Sequence, residues 1–406
     1  MGLSETDTRA KLIDPAIHAR GWTEDYIRRE ESAGAIEIAG GKARQRARGR
    51  VDYTLRVRVN QQSQPVAVAL IEAKAEDLPP GHGLEQGKAY AECRRLNVPF
   101  VFASNGHLFV EYDRFTGKTS EPRPLSAFPT PADLRARYEA GMGFRLTDEA
   151  AKPLLTPYHR GEGNRRYYQD AAIRAVLEKL ARGEKRALLS LATGAGKTFI
   201  AVGLLQRIAD AKQLRKALFI CDRDELRKQA AAAFQGAFGA DAATVTKGDA
   251  QTNARVLIAT YQTLDVATDD DDANFLIAHY PENYFSHIII DECHRSAWGK
   301  WSEVLKRNPD AVQIGLTATP RQLQISEGAA TTREAREDAR ITADNYRHFG
   351  EPVYEYDMSQ GIEDGYLAAC EIVRRDIFLE RHEADERESG VTQQDLWDKL
   401  LTDART

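Results

Sequence analysis

No stretch of the chain is apolar for long enough to cross a bilayer, so no transmembrane helix can be placed. The opening Met1-Gly2-Leu3-Ser4-Glu5-Thr6-Asp7 lacks a basic start and an apolar stretch, and does not read as a signal peptide. Only four cysteines occur, Cys93, Cys221, Cys293 and Cys370, without paired spacing. That argues against a zinc site or a disulfide framework and predicts reduced thiols in a cytoplasm. Excess positive charge is absent too: the formal net charge is -5, and the pI is about 6.1. A nucleic-acid partner would therefore need a local basic surface. The densest basic run is Lys42 to Arg50, with Arg44, Arg46, Arg48 and Arg50. From charge alone it reads equally as a solvated loop or a DNA contact, and its place beside Asp52 favours DNA.

The 406 residues exceed what one core accommodates, and two or three domains are expected. Residues 1–140 read as an α/β unit with a linker. A helix is expected over Glu5–Ala19, strands over Val51–Val59 and Val66–Ala73, and a helix over Leu84–Leu96. Two more strands flank an Asn105-Gly106 turn. Four prolines between Pro122 and Pro131 mark the linker, with a short helix from Pro131 to Glu139 inside it. Residues 141–325 alternate helix and strand, which predicts a mostly parallel sheet covered on both faces. Residues 326–406 are polar and weakly periodic. They read as a linker segment without a compact core, with a helix over Arg333–Arg340.

Four short strings stand in order: Arg166-Tyr167-Tyr168-Gln169, Thr193-Gly194-Ala195-Gly196-Lys197-Thr198, Asp291-Glu292-Cys293-His294 and Leu316-Thr317-Ala318-Thr319-Pro320. The second lies between an expected strand and helix, so free N–H groups of the helix N-terminus would face phosphates. Gly194 and Gly196 let the backbone wrap them. Lys197 would supply a positive charge to the phosphates, and the Thr198 hydroxyl would ligate Mg2+. Asp291 and Glu292 end an apolar strand. Asp291 would hold the magnesium through water, Glu292 would orient or deprotonate the attacking water, and His294 would sense the terminal phosphate. Gln169, behind Arg166, can donate to and accept from an adenine edge. Arg223, Thr260 and Gln262 follow strands and would meet a phosphate backbone.

In the first unit, Glu72 and Lys74 are two apart on a strand and share a face. With Asp52 they could bind Mg2+ and activate water for phosphodiester hydrolysis. Gln86 and Tyr90, four apart on the next helix, could brace that site. Glu5 is an additional candidate acid. A charged strand edge alone would also produce Glu-x-Lys.

The order Asp52, Glu72-Ala73-Lys74, Gln86-x-x-x-Tyr90 resembles the PD-(D/E)XK nuclease core with its Gln-x-x-x-Tyr element, except that Val51 replaces the proline before Asp52. The four strings resemble superfamily 2 helicases and translocases. The fold expected is therefore an α/β nuclease-like domain followed by a RecA-like, doubly wound parallel-sheet P-loop motor domain. No second RecA-like domain follows, and no Gln-x-x-Gly-Arg-x-x-Arg motif appears. The chain thus reads as an N-terminal fragment or truncated product of a longer motor, with weak ATP turnover of its own. Leu12-Ile13-Asp14-Pro15, Gly21-Trp22, Tyr354-Glu355-Tyr356 and the stretch Gly361 to Leu367 extend the likeness to nearly the whole chain. Together these resemble the R (motor and cleavage) subunit of a type I restriction enzyme. The resemblance implies ATP and Mg2+ as cofactors, duplex DNA as substrate, and methylation and specificity subunits as partners. The alternatives are a standalone superfamily 2 DNA helicase or repair translocase whose N-terminal domain only grips DNA, and a nucleotide-responsive assembly module.

Overall fold

Val66–Ala73 carries the β-branched Val66, Val68 and Ile71 and no charge before Glu72, and it forms a central strand in the computed structural model of the chain. The structure describes residues 2–32, 36–39, 42–45, 50–92, 95–159, 166–264, 275–293, 298–318 and 345–368, with backbone alone in the described parts of 30–50 and 298–302.

The first sheet has Ile27–Ser32, Arg50–Val57, Val66–Ala73, Phe100–Ser104, Leu108–Asp113 and Lys118–Thr119 in that order, with Arg123–Pro124 also pairing Leu108–Asp113. Its ladders are antiparallel except between Val66–Ala73 and Phe100–Ser104. That parallel step needs a crossover, and the helix Leu84–Ala91 supplies it. This helix ends five residues before the expected Leu96. Leu96 N–H turns back to the Tyr90 carbonyl, and Asn97 takes a left-handed φ of 50°. The single helix expected over Glu5–Ala19 is Glu5–Thr8 and Asp14–Ala19 joined by a π-helical stretch, Arg9–Ile13. Pro15 has no N–H to donate there, and the wider turn aims Arg9 at Asp52 (below).

The expected linker is built into the fold. A Thr130–Asp133 capping box starts the helix Pro131–Met142, which buries Leu134, Tyr138 and Met142. The basic run is also not simply a loop: Lys42–Gln45 is a strand paired antiparallel with Ile36–Ala39, bringing Arg44 level with Glu37. Arg50 opens a strand of the first sheet, whereas Arg46 and Arg48 lie outside the described residues.

The second sheet is parallel throughout. Its order is Ala242–Thr244, Val256–Thr260, Ala217–Cys221, His287–Ile290, Val312–Thr317, Arg186–Leu191 and Tyr354–Tyr356. Both faces are buried. Leu189, Leu191 and Phe219 pack with the helices Tyr167–Ala181, Lys197–Asp210 and Asp224–Phe238, while Leu188, Leu218 and Ile220 pack with Tyr261, Leu276 and Val304. The last strand lies in the expected linker. Tyr354 and Tyr356 are fully buried there, and the short helix Met358–Glu363 follows. Part of 326–406 thus belongs to the core of this sheet, while the expected Arg333–Arg340 helix falls outside the described residues. The two sheets share one apolar cluster, and residues 1–368 form a single compact unit.

Candidate functional site

In the first sheet, Tyr53 pairs with Ile71, so one step along the same register sets Asp52 level with Glu72. Asp52 Oδ2 accepts from Ala73 N–H at 2.7 Å, and Arg9 Nη1 donates to Asp52 Oδ1 at 2.7 Å. Lys74 Nζ donates to Glu72 Oε1 at 2.9 Å and to Gln86 Oε1 at 3.3 Å, and Gln86 Nε2 donates to Tyr90 Oη at 3.3 Å. Glu5 approaches Lys74 at 3.8 Å. The structure thus brings together all five residues expected at this site and the extra acid.

Glu72 is only 2% exposed, and its Oε2 has no hydrogen-bond partner among the described residues. An orphaned buried carboxylate oxygen is expensive unless something positive completes it. Burial is the main force pushing its pKa up to about 7, and Asp52 adds to it, while Lys74 pulls the other way. The bare Glu72 Oε2 fits a divalent cation by oxygen chemistry, and Asp52 could join it once the cation takes the place of Arg9 on Oδ1, although no cluster of three or more ligating side chains occurs among the described residues. Two carboxylates leave the remaining positions to water and substrate oxygens. The raised Glu72 pKa gives a first prediction. Mn2+ affinity, read by calorimetric titration, should fall about tenfold per pH unit below the pKa of about 7 and level off above it, because Glu72 must lose its proton to ligate.

Gly83, absent from the expected set, is the residue that permits this packing. A Cβ there would lie 2.7 Å from Lys74 Cε and 2.8 Å from Glu72 Cγ. Gly83→Ala should lower metal-dependent cleavage about a hundredfold by displacing both groups. A nicking assay checks this, and an unchanged rate would show that both side chains can move aside.

The second constellation sits where the parallel strands end. The loop 192–196 leaves Arg186–Leu191 and enters the helix at Lys197, with Gly194 and Gly196 both at φ 83°. Those left-handed turns, and the 2.9 Å between the Gln169 amide nitrogen and the position a Gly196 Cβ would take, leave room for glycine only. Tyr168 Oη donates to the Ala195 carbonyl at 2.9 Å, and Gln169 Nε2 to the same oxygen at 3.4 Å. Gln169 Oε1 accepts from Arg166 N–H at 3.4 Å. Arg166 donates to Tyr168 Oη at 2.9 Å and lies over the Tyr366 ring. The glutamine therefore cradles the loop through long bonds that a ligand could exchange. Thr193 is exposed and Thr198 half-buried.

Asp291 is buried beyond His287–Ile290, and desolvation pushes its pKa up to about 6. Glu292 has a left-handed φ of 54°, unusual for a non-glycine residue, and its Oε1 ion-pairs with Lys197 Nζ at 2.8 Å. The two motifs meet although a strand separates theirs in the sheet. His294 lies outside the described residues. Of the three expected phosphate-backbone contacts, Arg223 and Gln262 are exposed. Thr260 is not: it is 2% exposed, and its hydroxyl pairs with Thr263 Oγ1 at 2.9 Å and accepts from Thr263 N–H. It caps the turn that follows and cannot reach DNA.

The chain is similar to known proteins over most of its length. Residues 162–322 match the family described as "Type III restriction enzyme, res subunit". The EcoAI endonuclease subunit, a type I restriction enzyme protein of Escherichia coli, is 34% identical over 390 residues, covering 93% of this chain and 44% of that protein. The chain is a homologue of type I restriction endonuclease subunits. The EcoKI endonuclease subunit of E. coli strain K12 is 25% identical over 480 residues, covering 95% and 37%. A solved fragment described as an HsdR subunit from Vibrio vulnificus YJ016 superposes with a TM-score of 0.67 at 32% identity, covering 90% of this chain and 61% of that one. The chain thus spans less than half the length of these two curated relatives. Its parallel sheet is a RecA-like motor fold. Among the described residues no helix is long and apolar enough to cross a membrane.

Proposed function

We propose that this chain carries the cleavage site and the first motor domain of a type I restriction endonuclease subunit. In this reading it moves along and cleaves unmethylated duplex DNA in the cytoplasm, with ATP and Mg2+ as cofactors and methylation and specificity subunits as partners. The observation that carries it is Glu72: a buried carboxylate with one oxygen on Lys74 and the other without a hydrogen-bond partner among the described residues, level with Asp52.

The residues have separable tasks. Asp52 and Glu72 would hold the magnesium, which supplies Lewis acidity and an activated water when bound. Lys74 stays cationic between Glu72 and Gln86, placed to stabilise charge developing on the scissile phosphate. Gln86 and Tyr90 fix where Lys74 points. In the motor, backbone N–H groups of residues 194–197 and the Lys197 ammonium would bind phosphates, Thr198 and Asp291 would hold the nucleotide's magnesium, and Glu292 would orient water. Arg44, Arg46, Arg48, Arg50, Arg223 and Gln262 remain the proposed DNA contacts.

The test is nicking of supercoiled DNA by the purified chain at high concentration with Mn2+, with and without ATP. Wild-type nicking that Glu72→Gln loses is the expected result. Equal nicking by both would remove the cleavage site from this reading.

A further inference from the structure

The two sites are joined by a buried carboxylate that neither of them uses. Asp364 follows the Met358–Glu363 helix, and its side chain is 0% exposed. One oxygen accepts from Arg95 Nη1 at 2.7 Å. The other accepts from Tyr167 Oη at 2.6 Å and Tyr356 Oη at 2.8 Å. Burial raises the Asp364 pKa, and these three donors oppose that rise. Arg95 also pairs with Glu363 at 3.0 Å, and its carbonyl accepts from Tyr354 Oη at 2.7 Å. A buried charge breaks even only when its hydrogen bonds are complete, so this cluster fixes one arrangement rather than adding much stability.

Two of the three donors lead to the sites. Tyr167 precedes Tyr168, whose hydroxyl holds the Ala195 carbonyl of the phosphate loop. Arg95 precedes Leu96, whose N–H holds the Tyr90 carbonyl at 2.9 Å. Tyr90 takes the Gln86 amide, and Gln86 takes Lys74. Every link from the phosphate loop to the carboxylates is therefore a direct hydrogen bond or a short step along the chain.

We propose that Asp364, with Arg95 and Tyr167, is a positioning element that couples nucleotide occupancy of the phosphate loop to the placement of Gln86 and Tyr90. It rests on the two-site reading above. Phosphates held by the loop N–H groups fix the Ala195 carbonyl, then the Tyr167–Tyr168 pair, then the segment after the Leu84–Ala91 helix. Asp364 ties Arg95 to Tyr167, while Arg174 of the same motor helix holds the Leu96 and Asn97 carbonyls independently, so removing the Asp364 bonds weakens the link while both sites stay chemically whole.

The test is amide hydrogen exchange at Leu96 and Asn97 in the full chain, with and without saturating Mg-ATPγS, beside nucleotide titration and a thermal melt. In wild type, nucleotide should slow exchange by about fivefold or more, the low end of couplings between sites. In Tyr167→Phe and Asp364→Asn that difference should fall by half or more while nucleotide affinity is retained. Tyr167→Phe removes only a hydroxyl and serves if Asp364→Asn fails to fold. A wild type that binds nucleotide without slowed exchange overturns the coupling and leaves the ATP site standing, as does a folded Tyr167→Phe that keeps the full difference. A wild type that binds no nucleotide overturns both.

Discussion

Glu72→Gln should lower metal-dependent DNA cleavage by about a thousandfold or more, the scale expected when a metal-binding acid of a hydrolytic site is neutralised. The same substitution should stabilise the metal-free fold. Gln retains the shape of Glu72 and an oxygen for Lys74 Nζ, so packing against Gly83 is preserved. What disappears is a negative charge that burial opposes. That carboxyl is raised from 4.5 to about 7 in the folded chain. An acid with a raised folded pKa carries no penalty while protonated in both states. The penalty grows as pH climbs from the unfolded pKa to the folded one, and is complete above about 7. It is on the order of 3 kcal/mol at pH 8, given 1.36 kcal/mol per unit. Melts in EDTA should therefore separate the two proteins at pH 8, with the variant higher, and bring them together near pH 4. Site residues that trade stability for function behave this way. A variant that cleaves at the wild-type rate would place the metal elsewhere. A variant that neither cleaves nor melts higher at pH 8 would show Glu72 to be fully compensated in the fold.

The motor sheet was legible because its inner strands are short apolar runs, and because its loop glycines and Lys197 obey a spacing imposed by phosphate geometry. The grouping of the side chains around Glu72 was legible through one strand parity and one helix repeat, which make neighbours of Glu72, Lys74, Gln86 and Tyr90 as in the structure. Other elements carry no such signature. Ile27–Ser32 reads Ile-Arg-Arg-Glu-Glu-Ser; as an edge strand it needs backbone pairing more than an apolar face. Tyr354–Tyr356 is three residues long and joins a strand more than 160 positions earlier. Thr260 has the residue type of a DNA contact, but a hydroxyl at a strand end caps the next turn as readily. Gly83 matters through the side chains of Lys74 and Glu72 across a turn, and Asp364 through Arg95 and Tyr167 far away in sequence, and neither spacing nor composition points to such contacts.

Glu292→Gln should bind ATP several times more tightly than wild type and hydrolyse it about a hundredfold to ten-thousandfold more slowly. The tighter binding follows from the ion pair between Glu292 Oε1 and Lys197 Nζ at 2.8 Å. Phosphates must take Lys197 away from that carboxylate, and they meet its negative charge as they do so. An amide competes weakly for an ammonium and does not repel phosphate. The slower turnover follows from losing the oxyanion that would orient or deprotonate water. The left-handed φ of 54° makes the position a demanding one. Glutamine meets the same backbone requirement as glutamate, so the comparison isolates charge. Glu292→Gly relaxes the backbone instead, and should lose hydrolysis to the same extent if the carboxylate is what matters. Fluorescent-nucleotide titration and phosphate release, measured with DNA present, separate these effects. Lys197→Ala is the control, since it removes both the ion pair and the phosphate contact and should abolish tight binding. If Glu292→Gln instead loses affinity as Lys197→Ala does, the ion pair holds the loop in its binding shape and Glu292 is a structural partner of Lys197 rather than the group that acts on water.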